Sequence, residues 1–156
     1  KIKGIPNPKY PTQKESFSDN LPKNSHLLIV ESLLSNIEST YKIDPNKRYI
    51  AGLSMGGMGT FELVARNPNY FAAGIAICGG ANPNWAKFFK KTPLWIFHGM
   101  KDKVVPPKLS INMYDSIKNY NSESKLTLYE NVGHNSWDPA FKEVEIMNWL
   151  FSFKKK

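Results

Sequence analysis

The stretch Ala51-Gly52-Leu53-Ser54-Met55-Gly56-Gly57-Met58-Gly59 decides how the chain is read. Before it, Arg48 to Leu53 is a short apolar run that reads as a buried strand, and after it Gly56 to Arg66 reads as a helix. Glycines crowd the junction around a single hydroxyl. Gly52-Leu53-Ser54-Met55-Gly56 fits the pattern G-x-S-x-G in its required setting, strand before and helix after. A serine at that place sits in a sharp, strained turn that lifts its hydroxyl above the sheet edge. Gly52 and Gly56 are both expected to be glycine because a side chain at either would collide with neighbouring backbone. The helix behind the serine aims its amides and positive dipole end at developing negative charge, and the Met55 amide is placed to donate to an oxyanion. Two other readings compete. A phosphate cradle fails because no lysine follows in the Walker position and the pattern is not G-x-G-x-x-G. Close packing of a helix on a sheet remains open on this stretch alone.

Working outward, apolar strands recur at intervals that leave room for crossovers: Arg48 to Leu53, Ala72 to Cys78, Pro93 to His98 and Lys125 to Glu130. Helices fill the gaps at Gly56 to Arg66, Pro107 to Tyr120 and Pro139 to Phe153, with Asp138 as N-cap of the last and proline at its first position. Upstream, Leu27, Val30, Leu34, Ile37 and Tyr41 keep helical spacing across Ser25 to Tyr41. Between the second and third strands, Trp85 to Phe89 is a short helix at best. Lys1 to Asn24, with Pro6, Pro8, Pro11 and Pro22, reads as irregular chain. The alternation predicts an α/β fold, a parallel sheet with helices on both faces and strands adjacent in chain order.

The totals agree with one domain: 156 residues, 41% apolar and 22% charged. No apolar run approaches the roughly 18 residues of a membrane span. The net charge of +8 comes from lysines scattered along the chain, clustered only at Lys154-Lys155-Lys156. That spread favours a solvated surface over a nucleic-acid patch. The single cysteine, Cys78, excludes an internal disulfide and a multi-cysteine zinc site, and its apolar neighbours cast it as a small hydrophobe. Lys1-Ile2-Lys3 opens the chain without methionine, which reads as a processed chain or a fragment.

A serine nucleophile needs a base, and the base an orienting acid, both at later strand ends and in the order serine, acid, histidine. Asp102 stands just past the third strand and His134 just past the fourth, at the edge where Ser54 lies. His26 precedes the elbow, and His98 ends a buried strand and reads as packed. Asp138 is the second candidate for the acid, with its helix-cap role as the plainer explanation. Asp115 falls in mid-helix. The triad expected is Ser54, Asp102 and His134, with Met55 as an oxyanion amide and Trp137 and Trp85 as pocket candidates. No metal and no cofactor are expected.

The blocks RYIAGLSMGGMGTFEL (48–63), FAAGIAICGG (71–80), PLWIFHGMKDKVVPP (93–107) and NVGHNSWDPAF (131–141) resemble the α/β-hydrolase superfamily. More narrowly they resemble bacterial carboxylesterases grouped with feruloyl and acetylxylan esterases, phospholipase/carboxylesterase-type enzymes and polyhydroxybutyrate depolymerases. Some such relatives are described as prolyl-oligopeptidase-like peptidases. The resemblance implies Ser54 as nucleophile, Asp102 as acid and His134 as base. It implies hydrolysis of a carboxylic ester through an acyl-enzyme, on an acylated polysaccharide or a small acyl ester. A serine peptidase and an inactive or accessory binding module are the alternatives. Members of the group carry further strands ahead of the helix matching Ser25 to Tyr41, and a His-Gly-rich loop there supplies a second oxyanion donor. Nothing in Lys1 to Asn24 matches that loop. Residues 25–156 are therefore expected to be the C-terminal part of a hydrolase domain, with residues 1–24 an irregular segment. The first strand would be an exposed edge prone to self-association. Relatives of this kind are often exported, but the sequence leaves the compartment open.

Overall fold

The computed structural model describes residues 25–155. Helix α1 (Ser25–Thr40) is followed by strand β1 (Tyr49–Leu53), helix α2 (Met55–Arg66) and strand β2 (Ala73–Ile77). A 3₁₀ helix (Pro83–Phe89) leads to β3 (Leu94–Gly99), α3 (Lys108–Ile117), β4 (Lys125–Tyr129), α4 (Trp137–Ala140) and α5 (Ile146–Ser152). The strands form one parallel sheet in the order β1-β2-β3-β4. This is the α/β architecture read from the alternation of strands and helices, with adjacent strands also adjacent in the chain. Lys1 to Asn24 lies outside the described residues.

The central strands explain why their sequences are apolar throughout. Leu94 and Ile96 of β3 point into one layer with Phe61, Val64, Phe89, Met113 and Ile117, contributed by α2, the 3₁₀ helix and α3. Trp95 and Phe97, one residue out of step, point into the other layer with Ala140, Ile146, Trp149 and Leu150 of α4 and α5. A strand buried on both faces has no polar side to show. Among the described residues no helix is long and apolar enough to cross a membrane.

The outer flank is different. Among the described residues no strand pairs with the free edge of β1. Helix α1 is tied down by polar contacts: Glu38 meets Arg48 at 2.6 Å and accepts from the Tyr70 hydroxyl, and Asn67 donates to Glu31 at 3.1 Å. Its side chains Ile29 and Leu33 are nonetheless 65% and 55% exposed. An amphipathic helix normally turns such residues inward.

Two expectations about the C-terminal helix are corrected. The helix expected over Pro139 to Phe153 is two helices separated by turns. The Tyr129 hydroxyl donates to Glu143 at 2.8 Å, and Lys142, Glu143 and Ile146 all bond three residues back, which tightens the chain out of α-helical pitch. Val144 consequently faces solvent, 90% exposed, while Ile146, Trp149 and Leu150 return to the core. Asp138 is not the N-cap: Ser136 precedes α4, and Asp138 lies inside its first turn, exposed, accepting from Asn135 at 3.2 Å. Other boundaries shift by a few residues at most.

The glycine expectation splits. A Cβ on Gly52 would lie 2.1 Å from the Gly56 carbonyl oxygen, whereas a Cβ on Gly56 would meet nothing within 4 Å. Gly52→Ala should therefore cost about 3 kcal/mol or more through forced backbone movement. Gly56→Ala should be neutral or stabilise by up to about 1 kcal/mol, because alanine suits a helix better. Urea unfolding of the two variants checks this; equal losses would contradict it.

Candidate active site

Ser54 sits between β1 and α2 with φ 54° and ψ −117°. For a residue with a Cβ this conformation costs on the order of 1–3 kcal/mol and persists only where its surroundings enforce it. Here the Ser54 amide donates to the Ile77 carbonyl at 2.9 Å, and its own carbonyl accepts from the Met58 amide at 3.0 Å. The elbow is thus pinned to the end of β2 and to the helix behind it. Met55 opens that helix, where a backbone amide has no intrahelical acceptor.

Asp102 lies in the loop after β3 and is buried. Its Oδ1 accepts from the amides of Val104 and Val105 at 2.8 and 2.9 Å, which fixes the carboxylate plane by its own turn. The histidine loop after β4 presses against this one: the Lys101 amide donates to the Val132 carbonyl at 2.9 Å. Gly99 makes that approach possible, since a Cβ there would lie 2.3 Å from the Gly133 oxygen.

These loops bring the three candidates together. His134 Nδ1 lies 2.7 Å from Asp102 Oδ2, and His134 Nε2 lies 2.9 Å from Ser54 Oγ. Burial works to raise the Asp102 carboxyl, but the bonds from His134, Val105 and Val104 outweigh it and hold the group below its ordinary value. An ionised carboxylate accepts only, so Nδ1 carries the proton and Nε2 is free to accept from Ser54. The arrangement is chemically competent to draw the serine proton onto the imidazole.

The pocket candidates separate. The Trp137 ring meets His134 edge-on, centroids 5.6 Å apart, while Trp85 is buried in the apolar layer with Phe61 and Phe89. His26 is exposed on α1. Reading His98 as packed accounts for its burial but not for its bonds, because Nε2 lies 3.2 Å from Asp102 Oδ2. The signal in the sequence is its place four residues before Asp102, with only a short turn between.

Cys78 ends the β2 run in a positive-φ conformation, φ 41°. Its thiol, Asp102 and His134 offer ligand atoms within 4.8 Å of one another. The carboxylate and imidazole atoms there already hold one another by hydrogen bonds. Burial pushes the thiol up, against the Ser54 amide and the Ser136 hydroxyl, which pull it down. A fully buried, protonated thiol is a poor nucleophile. Thiol reagents should therefore modify Cys78 slowly in the folded protein and at the ordinary rate after denaturation. Rapid native reaction with parallel loss of activity would overturn this.

A parallel sheet with a serine elbow at its carboxyl edge, and acid and histidine loops beside it, defines an α/β-hydrolase fold. The chain belongs to the phospholipase/carboxylesterase family, whose model matches residues 6–147. It is similar to the crystal structure of a thermostable esterase, with 34% identity and a TM-score of 0.80 over 84% of this chain and 37% of that one. It is also 34% identical, over 49% of its length, to 11% of a bifunctional acetylxylan esterase/xylanase, XynS20E, from Neocallimastix patriciarum. Over 34% of its length it is 34% identical to 13% of poly(3-hydroxyalkanoate) depolymerase C from Paucimonas lemoignei. The chain therefore spans a small part of each curated relative and just over a third of the esterase.

Proposed function

We propose that this chain carries the catalytic centre of a serine carboxylic-ester hydrolase. The observation that carries the reading is the unbroken hydrogen-bonded line from Ser54 through His134 to Asp102, set on a strained elbow. His134 Nε2 takes the serine proton as Oγ attacks the ester carbonyl. Asp102 holds the imidazole in the Nδ1–H tautomer and balances its charge. The Met55 amide donates to the tetrahedral oxyanion. His134 then protonates the leaving alcohol, and water repeats the sequence to release the acid. Trp137, edge-on to the imidazole, is placed to contact the acyl or alcohol group of the substrate.

Relatives named as an acetylxylan esterase/xylanase and a poly(3-hydroxyalkanoate) depolymerase support an acylated polysaccharide or a small acyl ester as substrate. Hydrolysis of short p-nitrophenyl esters, lost on Ser54→Ala, tests the reading. Cleavage of a peptide anilide without ester cleavage would put a peptidase in its place.

The edge of β1 that no described strand pairs with, together with the exposed apolar side chains of α1, supports self-association as part of the same proposal. An unpaired strand edge is a template for another chain. Sedimentation of the 156-residue chain should show dimers or larger species. Ala51→Lys, which puts a charge on that edge, should shift them toward monomer. A wild-type monomer at all concentrations would contradict this part.

A further inference from the structure

One buried polar side chain beside the triad has no part in the mechanism above. His98, the penultimate residue of β3, is 0% exposed. Its Nε2 lies 2.9 Å from the Val105 carbonyl oxygen and 3.2 Å from Asp102 Oδ2, and its Nδ1 lies 2.7 Å from Ser110 Oγ. Asp102 Oδ2 is the same oxygen that meets His134 Nδ1 at 2.7 Å. One carboxylate oxygen thus rests on two backbone amides, and the other sits between two imidazoles.

The proton positions follow from the partners. Both neighbours of His98 Nε2, a carbonyl and a carboxylate, are acceptors, so Nε2 carries a proton. Burial lowers the affinity of the ring for a second proton, and this outweighs the opposing pull of the Val105 carbonyl and Asp102. The ring is therefore neutral and Nδ1 is bare. A bare Nδ1 accepts, and the Ser110 hydroxyl 2.7 Å away is the donor beside it, its one proton shared with the Gly79 carbonyl at 2.9 Å. The order is then Ser110 O–H to His98 Nδ1, His98 Nε2–H to Val105 O and Asp102 Oδ2, and His134 Nδ1–H to that same Oδ2. Ser54 O–H to His134 Nε2 completes it.

We propose that His98 is a positioning residue for the acid, holding Asp102 Oδ2 where His134 meets it, with Ser110 fixing the His98 tautomer. This rests on the triad reading above. His98 lies behind the carboxylate from the serine, fully buried, so it acts on the reaction only through Asp102. Its loss should slow the chemical step and leave substrate binding alone. A packing role alone would lower stability and leave the reactivity of the folded molecules unchanged.

The test compares wild type, His98→Leu, His98→Gln and Ser110→Ala. Gln keeps an N–H donor at about the reach of Nε2; Leu keeps bulk without it. The readouts are the rate of fluorophosphonate labelling at Ser54 per folded molecule, kcat and KM on a p-nitrophenyl ester, and the downfield proton resonance of the Asp102–His134 bond. His98→Leu should label and turn over roughly 10- to 100-fold more slowly, by analogy with the cost of losing the outer partner that orients a metal-bound histidine. Its KM should be unchanged and its downfield resonance broadened away. His98→Gln should recover most of the rate and the resonance. Ser110→Ala should fall between, and it decides the matter if the Leu variant does not fold. Folded His98→Leu or Ser110→Ala reacting at the wild-type rate, or no recovery in Gln, would overturn the proposal while leaving the triad standing. A wild type with neither labelling nor the resonance would overturn the triad reading, and this proposal with it.

Discussion

Alanine in place of Ser54 should abolish fluorophosphonate labelling and lower ester turnover by roughly four to six orders of magnitude, the range typical of triad serines. The geometry explains the size. Ser54 Oγ is the hydroxyl hydrogen-bonded to His134 Nε2, and the strained backbone that presents it has no other evident use. Removing the hydroxyl leaves a base with nothing to deprotonate. The fold should survive, because the Ser54 backbone bonds to Ile77 and Met58 do not involve the side chain. Turnover with purified variant and wild type in the same assay decides it; a variant within tenfold of wild type would contradict the assignment.

Asn in place of Asp102 should cut turnover by about 10⁴. The amides of Val104 and Val105 both demand an acceptor at the δ1 position. The Asn side chain must put its oxygen there, so its NH₂ takes the place of Oδ2. That NH₂ then faces His134 Nδ1 and His98 Nε2, both of which carry protons in the wild-type arrangement. His134 must adopt the other tautomer, with the proton on Nε2, and can no longer accept from Ser54. Asp138→Asn, by contrast, changes an exposed side chain bonded only to Asn135 among the described residues, and should stay within about 0.5 kcal/mol of wild-type stability with full turnover. Steady-state rates and urea midpoints for the pair check both halves. Reversed effects would make Asp138 the acid.

The parts that could be read from sequence are those set by local pattern. The apolar runs of β2 and β3 announce strands buried on both faces, and the G-x-S-x-G stretch between a strand and a helix announces the turn at Ser54. Placing an acid and a histidine at later strand ends needs only the parallel order of the sheet. What could not be read depends on direction in space. Gly52 and Gly56 look equivalent in the motif, yet the first faces backbone and the second faces open space. The break between α4 and α5 depends on Tyr129, from β4, pulling Glu143 toward it. The exposed residues of α1 keep a helical period that predicted burial, but the described residues provide nothing to cover Ile29 or Leu33. His98 carried the least signal: its apolar neighbours account for its burial, and only the turn that folds Asp102 back onto β3 reveals its polar partners.

The most direct measurement of the central claim is to treat the folded wild-type chain with a fluorophosphonate and locate the adduct by mass spectrometry of its peptides. The account predicts one adduct, on Ser54, formed only in the native state and absent after denaturation. No adduct, or an adduct on another serine such as Ser136, would contradict it.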